Sequence, residues 1–74
     1  MTKPTSLAAK LGQSLRAQRR VTGLSQDDFA DRIHMHRAYY SAIERGEKNI
    51  TLVTLQRIAE GFGVSMSSLL KDLD

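Results

Sequence analysis

The chain has 74 residues, a formal net charge of +3 and no cysteine. This length allows one domain, close to the lower limit for a core that is stable without a partner. The missing cysteines exclude a disulfide framework and a thiolate zinc site, and no apolar run approaches the ~20 residues that cross a membrane. We therefore expect a cytoplasmic protein with no signal peptide and no contact with a membrane.

The charges are unevenly distributed along the chain. From Met1 to Gln26 the sequence has no acidic residue, whereas its basic residues there are Lys3, Lys10, Arg16, Arg19 and Arg20. After Glu60, only Lys71 offsets Asp72 and Asp74. A basic beginning and a mildly acidic end are expected if one face of the domain meets a polyanion such as DNA and another does not.

The first segment, residues 1–5, is predicted to be a flexible arm because Pro4 disfavours a helical conformation in the residue before it. A first helix is then predicted to begin at Thr5 or Ser6 and to end at Thr22, just before a glycine. Its apolar residues recur on one face: Leu7, Leu11 and Leu15.

Two short helices separated by a tight break are predicted between Leu24 and Gly46. Ser25 is a good N-cap for the first of them, and the break falls at residues 34–36. The second helix begins at Arg37 and ends before Gly46, which suits the C′ position. Two such helices joined by a tight turn form a helix-turn-helix, whose second helix can enter a major groove of DNA.

Two further helices complete the chain, one capped by Thr51 and ending at Gly63, the other capped by Ser65. Their apolar residues are Leu52, Leu55, Ile58, Ala59 and Phe62, then Met66, Leu69, Leu70 and Leu73. No strand pattern is present. We predict an all-α fold of five helices in which residues 6–74 form a single domain that ends in a dimerisation helix.

The helix pair resembles the DNA-binding domain of the Cro/cI-type (XRE) repressors. The resemblance rests on Gly23-Leu24-Ser25-Gln26 before Phe29-Ala30, on Tyr39, and on Ile43-Glu44-Arg45-Gly46. It covers roughly residues 11–70 and implies a five-helix, lambda-repressor-like domain that binds double-stranded DNA and regulates transcription. The segment from Glu44 to Leu52 is most similar to the controller proteins of restriction–modification systems.

Candidate base contacts lie on the second helix of the pair. If Tyr40 and Ile43 are buried, the helical spacing of ~100° per residue turns Ala38, Ala42 and Arg45 outward. We predict base contacts from five residues: Arg37, Ala38, Tyr39, Ser41 and Ala42. The Arg37 guanidinium can bind O6 and N7 of guanine, although a contact to phosphate alone is the alternative. Because alanines carry no hydrogen-bond code, DNA shape is expected to supply part of the specificity.

Candidate phosphate contacts surround these positions. Gln26 lies in the first turn of its helix, where free backbone N–H groups suit an anion, and the resemblance implies that it clamps the DNA backbone. Its alternative role is that of a plain capping residue. The other predicted phosphate contacts are Arg45, Lys48, Asn49 and Arg16, for each of which simple solvation is the alternative.

The resemblance also implies a buried ion pair between Arg19 and Glu44 that ties the first helix to the recognition helix. We assign these two residues structural roles. Loss of one partner of such a pair typically costs ~3–5 kcal/mol, because the other charge stays buried alone.

His34 and His36 do not indicate a metal site, because a spacing of two residues with no cysteine nearby makes a poor ligand set. His34 stands where the resembling family usually has glycine, and histidine is among the residues that tolerate a positive φ. The sequence contains no nucleophile–base–acid constellation and no phosphate-binding glycine loop. We therefore expect no enzymatic activity, no cofactor, no metal and no small-molecule ligand.

The last helix is predicted to form a homodimer interface through Met66, Leu69, Leu70 and Leu73, which together exceed what one small core can cover. A symmetric dimer would read an inverted repeat. The alternative is an antitoxin-type or other protein-interaction module. The basic region from Arg37 to Lys48 favours DNA over a protein partner.

Overall fold

A computed structural model describes residues 6–71 and Leu73. In this range the chain forms five α-helices and no strand: α1 (Leu7–Thr22), α2 (Gln26–Arg32), α3 (Arg37–Glu44), α4 (Leu52–Phe62) and α5 (Met66–Leu70). The predicted all-α fold of five helices is therefore confirmed. The predicted arm, residues 1–5, lies outside the described residues. No helix within them is long and apolar enough to span a membrane.

The helices begin and end where local chemistry favours it. Each N-cap side chain accepts a hydrogen bond from a backbone N–H in the first turn; these residues are Ser6, Ser25, His36, Thr51 and Ser65. The bond to His36 Nδ1 from the Ala38 amide is long, at 3.3 Å, and histidine is not among the residues that cap helices best. Gly23 and Gly63 end α1 and α4 in the left-handed conformation that glycine adopts without strain.

The core lies between α1, α2 and α3 and is closed by α4 and α5. Phe29 of α2 stacks on Phe62 of α4, with ring centroids 3.9 Å apart, and meets Tyr40 of α3 at 5.1 Å. The largest fully buried side chains are Tyr40, Phe29, Leu15, Ile43, Ile58 and Leu69. Since burial of one such side chain contributes roughly 1.5–3 kcal/mol, a domain of this size depends on each of them.

The predicted apolar faces of α1 and α4 extend beyond this core. Leu7 is 66% exposed and Leu52 is 73% exposed, although both belong to apolar faces predicted to be buried. Each is the first residue of its helix. Helical side chains lean toward the N-terminus, so a first-turn side chain projects past the buried turns. This part of the core prediction is wrong.

Gly12 allows α1 to approach the end of α3 closely. A Cβ at this position would overlap with the carbonyl oxygen of Glu44. The missing side chain brings the backbone of α1 against the last turn of α3. This close approach brings the charged residues of α1 within reach of the Glu44 carboxylate.

Candidate DNA interface

A side chain of α4 hydrogen-bonds to the turn between α2 and α3. His34 has φ 55°, the one positive φ at a non-glycine residue in the described range, as predicted for this turn. Arg57 of α4 donates from Nη2 to the carbonyl oxygens of Ile33, at 2.6 Å, and His34, at 2.9 Å. Sequence reasoning missed Arg57, because no local pattern shows that a residue of α4 reaches this turn.

The most exposed residues of α3 lie at its N-terminal end. Arg37, Ala38 and Tyr39 are exposed, Ser41 is half-buried, and Arg45 is exposed just after the helix. Tyr40 and Ile43 face the core, as predicted. The accessible face of the helix is therefore narrow and has an exposed arginine at each end.

Ala42 does not belong to this accessible face. It is only 5% exposed, so the prediction that it turns outward is wrong. The chain reverses at Gly46 and folds back on this turn of the helix, where the Glu47 amide donates to the Ala42 carbonyl oxygen at 3.0 Å. The next two residues, Ile43 and Glu44, are buried as well, so the last turn of α3 is enclosed on a wider side than the helical spacing alone predicts. Ala42 is therefore a packing residue in this fold.

Arg37 forms an ion pair with α2. Its Nη1 lies 2.9 Å from Oδ2 of Asp27, and the two side chains are 71% and 61% exposed. Asp27 is therefore more than an acidic residue in the first turn of α2, because it also binds the first residue of α3. The two residues stand ten positions apart, and only the turn between the helices brings them together.

The Arg45 guanidinium donates hydrogen bonds to two nearby side chains, those of Glu47 and Ser41. Its Nε and Nη2 donate to the Glu47 carboxylate at 2.8 and 3.2 Å, and its Nη1 donates to the Ser41 hydroxyl at 2.7 Å. The hydrogen bonds from Arg45 lower the pKa of Glu47, and the same bonds raise the pKa of Arg45. Ser41, a predicted base contact, and Arg45, a predicted phosphate contact, thus bind each other in the free chain.

Glu44 is the centre of a buried network at the end of α3. Its carboxylate is fully buried and accepts hydrogen bonds from Arg19 Nε at 2.8 Å and Nη2 at 3.1 Å. Gln26 Nε2 donates to the same carboxylate at 2.9 Å, and Arg16 Nε lies 3.6 Å away. Arg19 also donates to the Leu24 carbonyl oxygen at 2.9 Å. This network joins α1, α2 and α3.

The pKa of Glu44 reflects two opposing effects. Burial raises it, but the Arg19 guanidinium, the Tyr40 hydroxyl and the Gln26 amide together outweigh burial and bring the pKa below its ordinary value. The hydrogen bond to Glu44 likewise raises the pKa of Arg19. The pair is therefore ionised at neutral pH, and a buried charge that keeps its partner is compatible with a stable fold.

The remaining predicted phosphate contacts differ in their surroundings. Gln26 faces inward through its amide nitrogen, which leaves its carbonyl oxygen and one N–H for other partners. Lys48 and Asn49 are exposed in the loop after α3, and the Arg16 side chain is 44% exposed. Among the described residues, no three His, Cys, Asp or Glu side chains could share a metal ion.

The predicted dimer residues are largely used by the chain's own core. Leu69 is 2% exposed and Leu73 is 8% exposed, so the prediction that they exceed one core is wrong. Met66 packs partly against the same core, and Leu70 alone is substantially accessible, at 38%. The short α5 packs against α1 and α4, and the domain itself covers Leu69, Leu73 and part of Met66.

An apolar groove of about 350 Å³ lies beside Leu70. Its walls come from α1, the α3–α4 loop, α4, α5 and Leu73, and include Leu7, Leu11, Ile50, Leu52, Leu55 and Leu70. The two leucines left exposed at the starts of α1 and α4 thus belong to one accessible apolar surface.

Comparison with known proteins agrees with this architecture. The profile of the helix-turn-helix family HTH_3 matches residues 15–69. The control protein C.MunI of Mycoplasma sp is 41% identical over 66 residues, which cover 88% of this chain and 89% of that protein.

Solved structures of controller proteins share the fold. The restriction–modification controller protein C.AhdI of Aeromonas hydrophila superposes with a TM-score of 0.81 at 34% identity, over 84% of this chain and 94% of that one. The controller protein C.Esp1396I, solved as a tetramer in complex with its natural 35 base-pair operator, gives a TM-score of 0.83 at 30% identity, over 95% and 92%. The chain belongs to the XRE-type helix-turn-helix family of DNA-binding transcription regulators, which are not enzymes, and is similar within it to the controller proteins of restriction–modification systems.

Proposed function

We propose that the chain is a controller protein of a restriction–modification system, which binds an inverted-repeat operator as a homodimer. The observation that carries this proposal is the accessible N-terminal end of α3, where Arg37 is 71% exposed at the start of the second helix of the helix-turn-helix. In this motif, the N-terminal residues of the second helix contact base edges.

The accessible side chains are proposed to fall into two groups, those that contact bases and those that contact phosphates. Arg37 reads a guanine through its fork of N–H donors, and the exposed Ala38 allows α3 to approach the bases closely. Lys48, Asn49, Arg45 and Arg16 bind phosphates, which fixes the position of α3 but carries no base information. With Ala42 buried, direct readout depends on even fewer side chains, so DNA shape is expected to contribute more of the specificity.

A second copy of this chain is the proposed occupant of the apolar groove. Leu7, Leu52 and Leu70 form an apolar rim of the kind that marks a protein interface, and a domain of this size has little spare stability. Controller protein C.Esp1396I is itself solved as a tetramer on its operator. A two-fold symmetric dimer would place its two recognition helices about 34–36 Å apart, one turn of DNA.

Selection of bound duplexes from a random pool tests the proposed function. We expect the full chain to enrich a sequence that contains two inverted half-sites with centres one helical turn apart. Sequencing of the bound fraction shows the symmetry directly. Recovery of no preferred sequence would contradict the proposal, and binding of a protein partner in the groove would then be the function to examine.

The dimer surface is tested by a charge in the apolar groove. Leu52→Asp should convert a dimer at micromolar concentration into a monomer and weaken operator binding, because a carboxylate would have to be buried between the subunits. The fold should persist, since Leu52 is 73% exposed and an acid suits the first turn of a helix. Sedimentation and thermal melting measure both effects.

Val21→Asp is the matched control for this experiment. Val21 is 81% exposed on α1 and does not line the apolar groove. We expect this variant to remain dimeric. A wild-type chain that sediments as a monomer both free and on DNA, or a Leu52→Asp variant that stays dimeric, would contradict the proposed surface.

A further inference from the structure

The ion pair between Asp27 and Arg37 places a negative charge beside the proposed base reader. Asp27 Oδ2 accepts one hydrogen bond from Arg37 Nη1 at 2.9 Å. A guanidinium has five N–H donors, so four remain for other partners. The pair lies in solvent, with 61% of the Asp27 side chain exposed, and therefore adds little to folding stability.

We infer that Asp27 is a specificity-determining residue that directs Arg37 toward a base and away from phosphate. The inference rests on the proposed function, because it concerns how the recognition helix discriminates between DNA sequences. Asp27 itself is a positioning residue: it acts on DNA through Arg37.

The reason lies in the charge of the two competing ligands. A guanine edge is neutral, so Arg37 can donate to O6 and N7 while Nη1 stays on the Asp27 carboxylate. A phosphate carries a negative charge. If it binds the same guanidinium, either two anions lie side by side or the bond to Asp27 is lost. The carboxylate therefore penalises the phosphate contact and leaves the base contact available.

The pair also limits how Arg37 moves. An arginine side chain has many rotamers, and ordering it on DNA costs conformational entropy. The contact with Asp27 holds the guanidinium against the start of α2 before DNA arrives. This restraint favours one approach to the base edge over the many positions from which a free arginine could bind neighbouring phosphates.

The test measures binding of the full chain to three kinds of duplex: its selected operator, a panel of single-base operator variants, and an unrelated duplex. Asp27→Asn keeps an acceptor oxygen of similar size and removes the charge. We expect tighter binding to the unrelated duplex and a specificity ratio lower by about two- to fivefold per subunit, as suits an exposed ion pair. The salt dependence of unrelated binding should steepen by about one phosphate contact per subunit.

Two control variants separate this role from net charge. Asp28→Asn removes the same charge from the same first turn of α2, one residue away from the ion pair. We expect it to change binding to all duplexes alike and to leave the specificity ratio intact. Glu47→Gln frees Arg45, a proposed phosphate contact, and should likewise strengthen binding to every sequence without altering the base preferences.

Asp27→Glu restores a carboxylate on a longer side chain and should recover part of the specificity ratio. The inference is overturned if Asp27→Asn leaves both the ratio and the salt dependence at their wild-type values, or if Asp28→Asn lowers the ratio equally. A wild-type chain that prefers no sequence would overturn the proposed function, whereas a specific wild type with an unaffected Asp27→Asn variant would overturn this inference alone.

Discussion

Glu44→Ala is expected to lower the free energy of unfolding by about 3–5 kcal/mol. The substitution leaves the Arg19 guanidinium, whose side chain is only 14% exposed, without its carboxylate, and it removes the acceptor of the Gln26 amide. Domains of this kind have a total stability of roughly 5–15 kcal/mol, so the variant should be partly or wholly unfolded at physiological temperature. Denaturation in urea followed by circular dichroism measures the loss.

Glu47→Ala is the matched control. Glu47 also binds an arginine through both carboxylate oxygens, but its ion pair with Arg45 is exposed, with 54% of the Glu47 side chain accessible. We expect a change below about 1 kcal/mol, because water solvates both charges when an exposed pair is broken. Equal effects of the two substitutions would show that burial of Glu44 adds nothing to its pair with Arg19.

The same carboxylate gives the fold a dependence on acid. Because the folded state holds the pKa of Glu44 below its ordinary value of 4.5, the unfolded state binds protons more readily. The contribution of Glu44 is thus complete above pH 4.5 and is lost as the pH falls through the lower pKa of the folded state. In Glu44→Gln, which cannot ionise at this position, the free energy of unfolding should fall less on acidification than it does in the wild type.

The helices and their limits follow from local chemistry and were predictable. Ser25 and Thr51 cap helices because their side chains reach N–H groups three residues on, a contact that is fully determined by nearby sequence. The positive φ at His34 is what the resemblance implies, because the family usually has glycine at this position and histidine tolerates the same backbone conformation. Such features need no knowledge of how distant segments pack.

The wrong or missing predictions concern which part of the fold contacts a given apolar or charged side chain. An apolar face predicts burial but does not show which surface covers it, so the sequence predicts a second subunit over Leu69 and Leu73 although the chain's own core covers them. Arg37 binds Asp27 because of the angle between α2 and α3. Arg57 likewise reaches the Ile33 carbonyl oxygen only because of how α4 packs against the α2–α3 turn. No periodicity in the sequence records either arrangement.

Arg37→Ala is expected to cost ~1–3 kcal/mol in binding to the best operator, and to relax the preference at one base pair in each half-site. The fold should be unaffected, because the side chain is 71% exposed and its only ion pair in the described range, to Asp27, is a surface pair. Binding to the panel of single-base operator variants measures both the loss and its position.

Lys48→Ala provides the contrast that separates base readout from backbone attraction. Lys48 is exposed in the loop after α3, and a phosphate contact from it should weaken binding to all sequences alike and reduce the salt dependence by about one contact per subunit. Arg37→Lys extends the comparison, because lysine keeps the charge but lacks the planar fork that binds two guanine acceptors together.

The expected result for Arg37→Ala follows from the small number of other hydrogen-bond donors on the exposed face of α3. Ala38 has no polar group, Ala42 is buried, and the Ser41 hydroxyl already accepts a hydrogen bond from Arg45. Loss of the one long donor at the start of the helix should therefore appear at a single base pair and leave the other positions unchanged. If Arg37→Ala instead lowers affinity evenly across the panel, Arg37 is a backbone contact, and readout must come from DNA shape or from Tyr39.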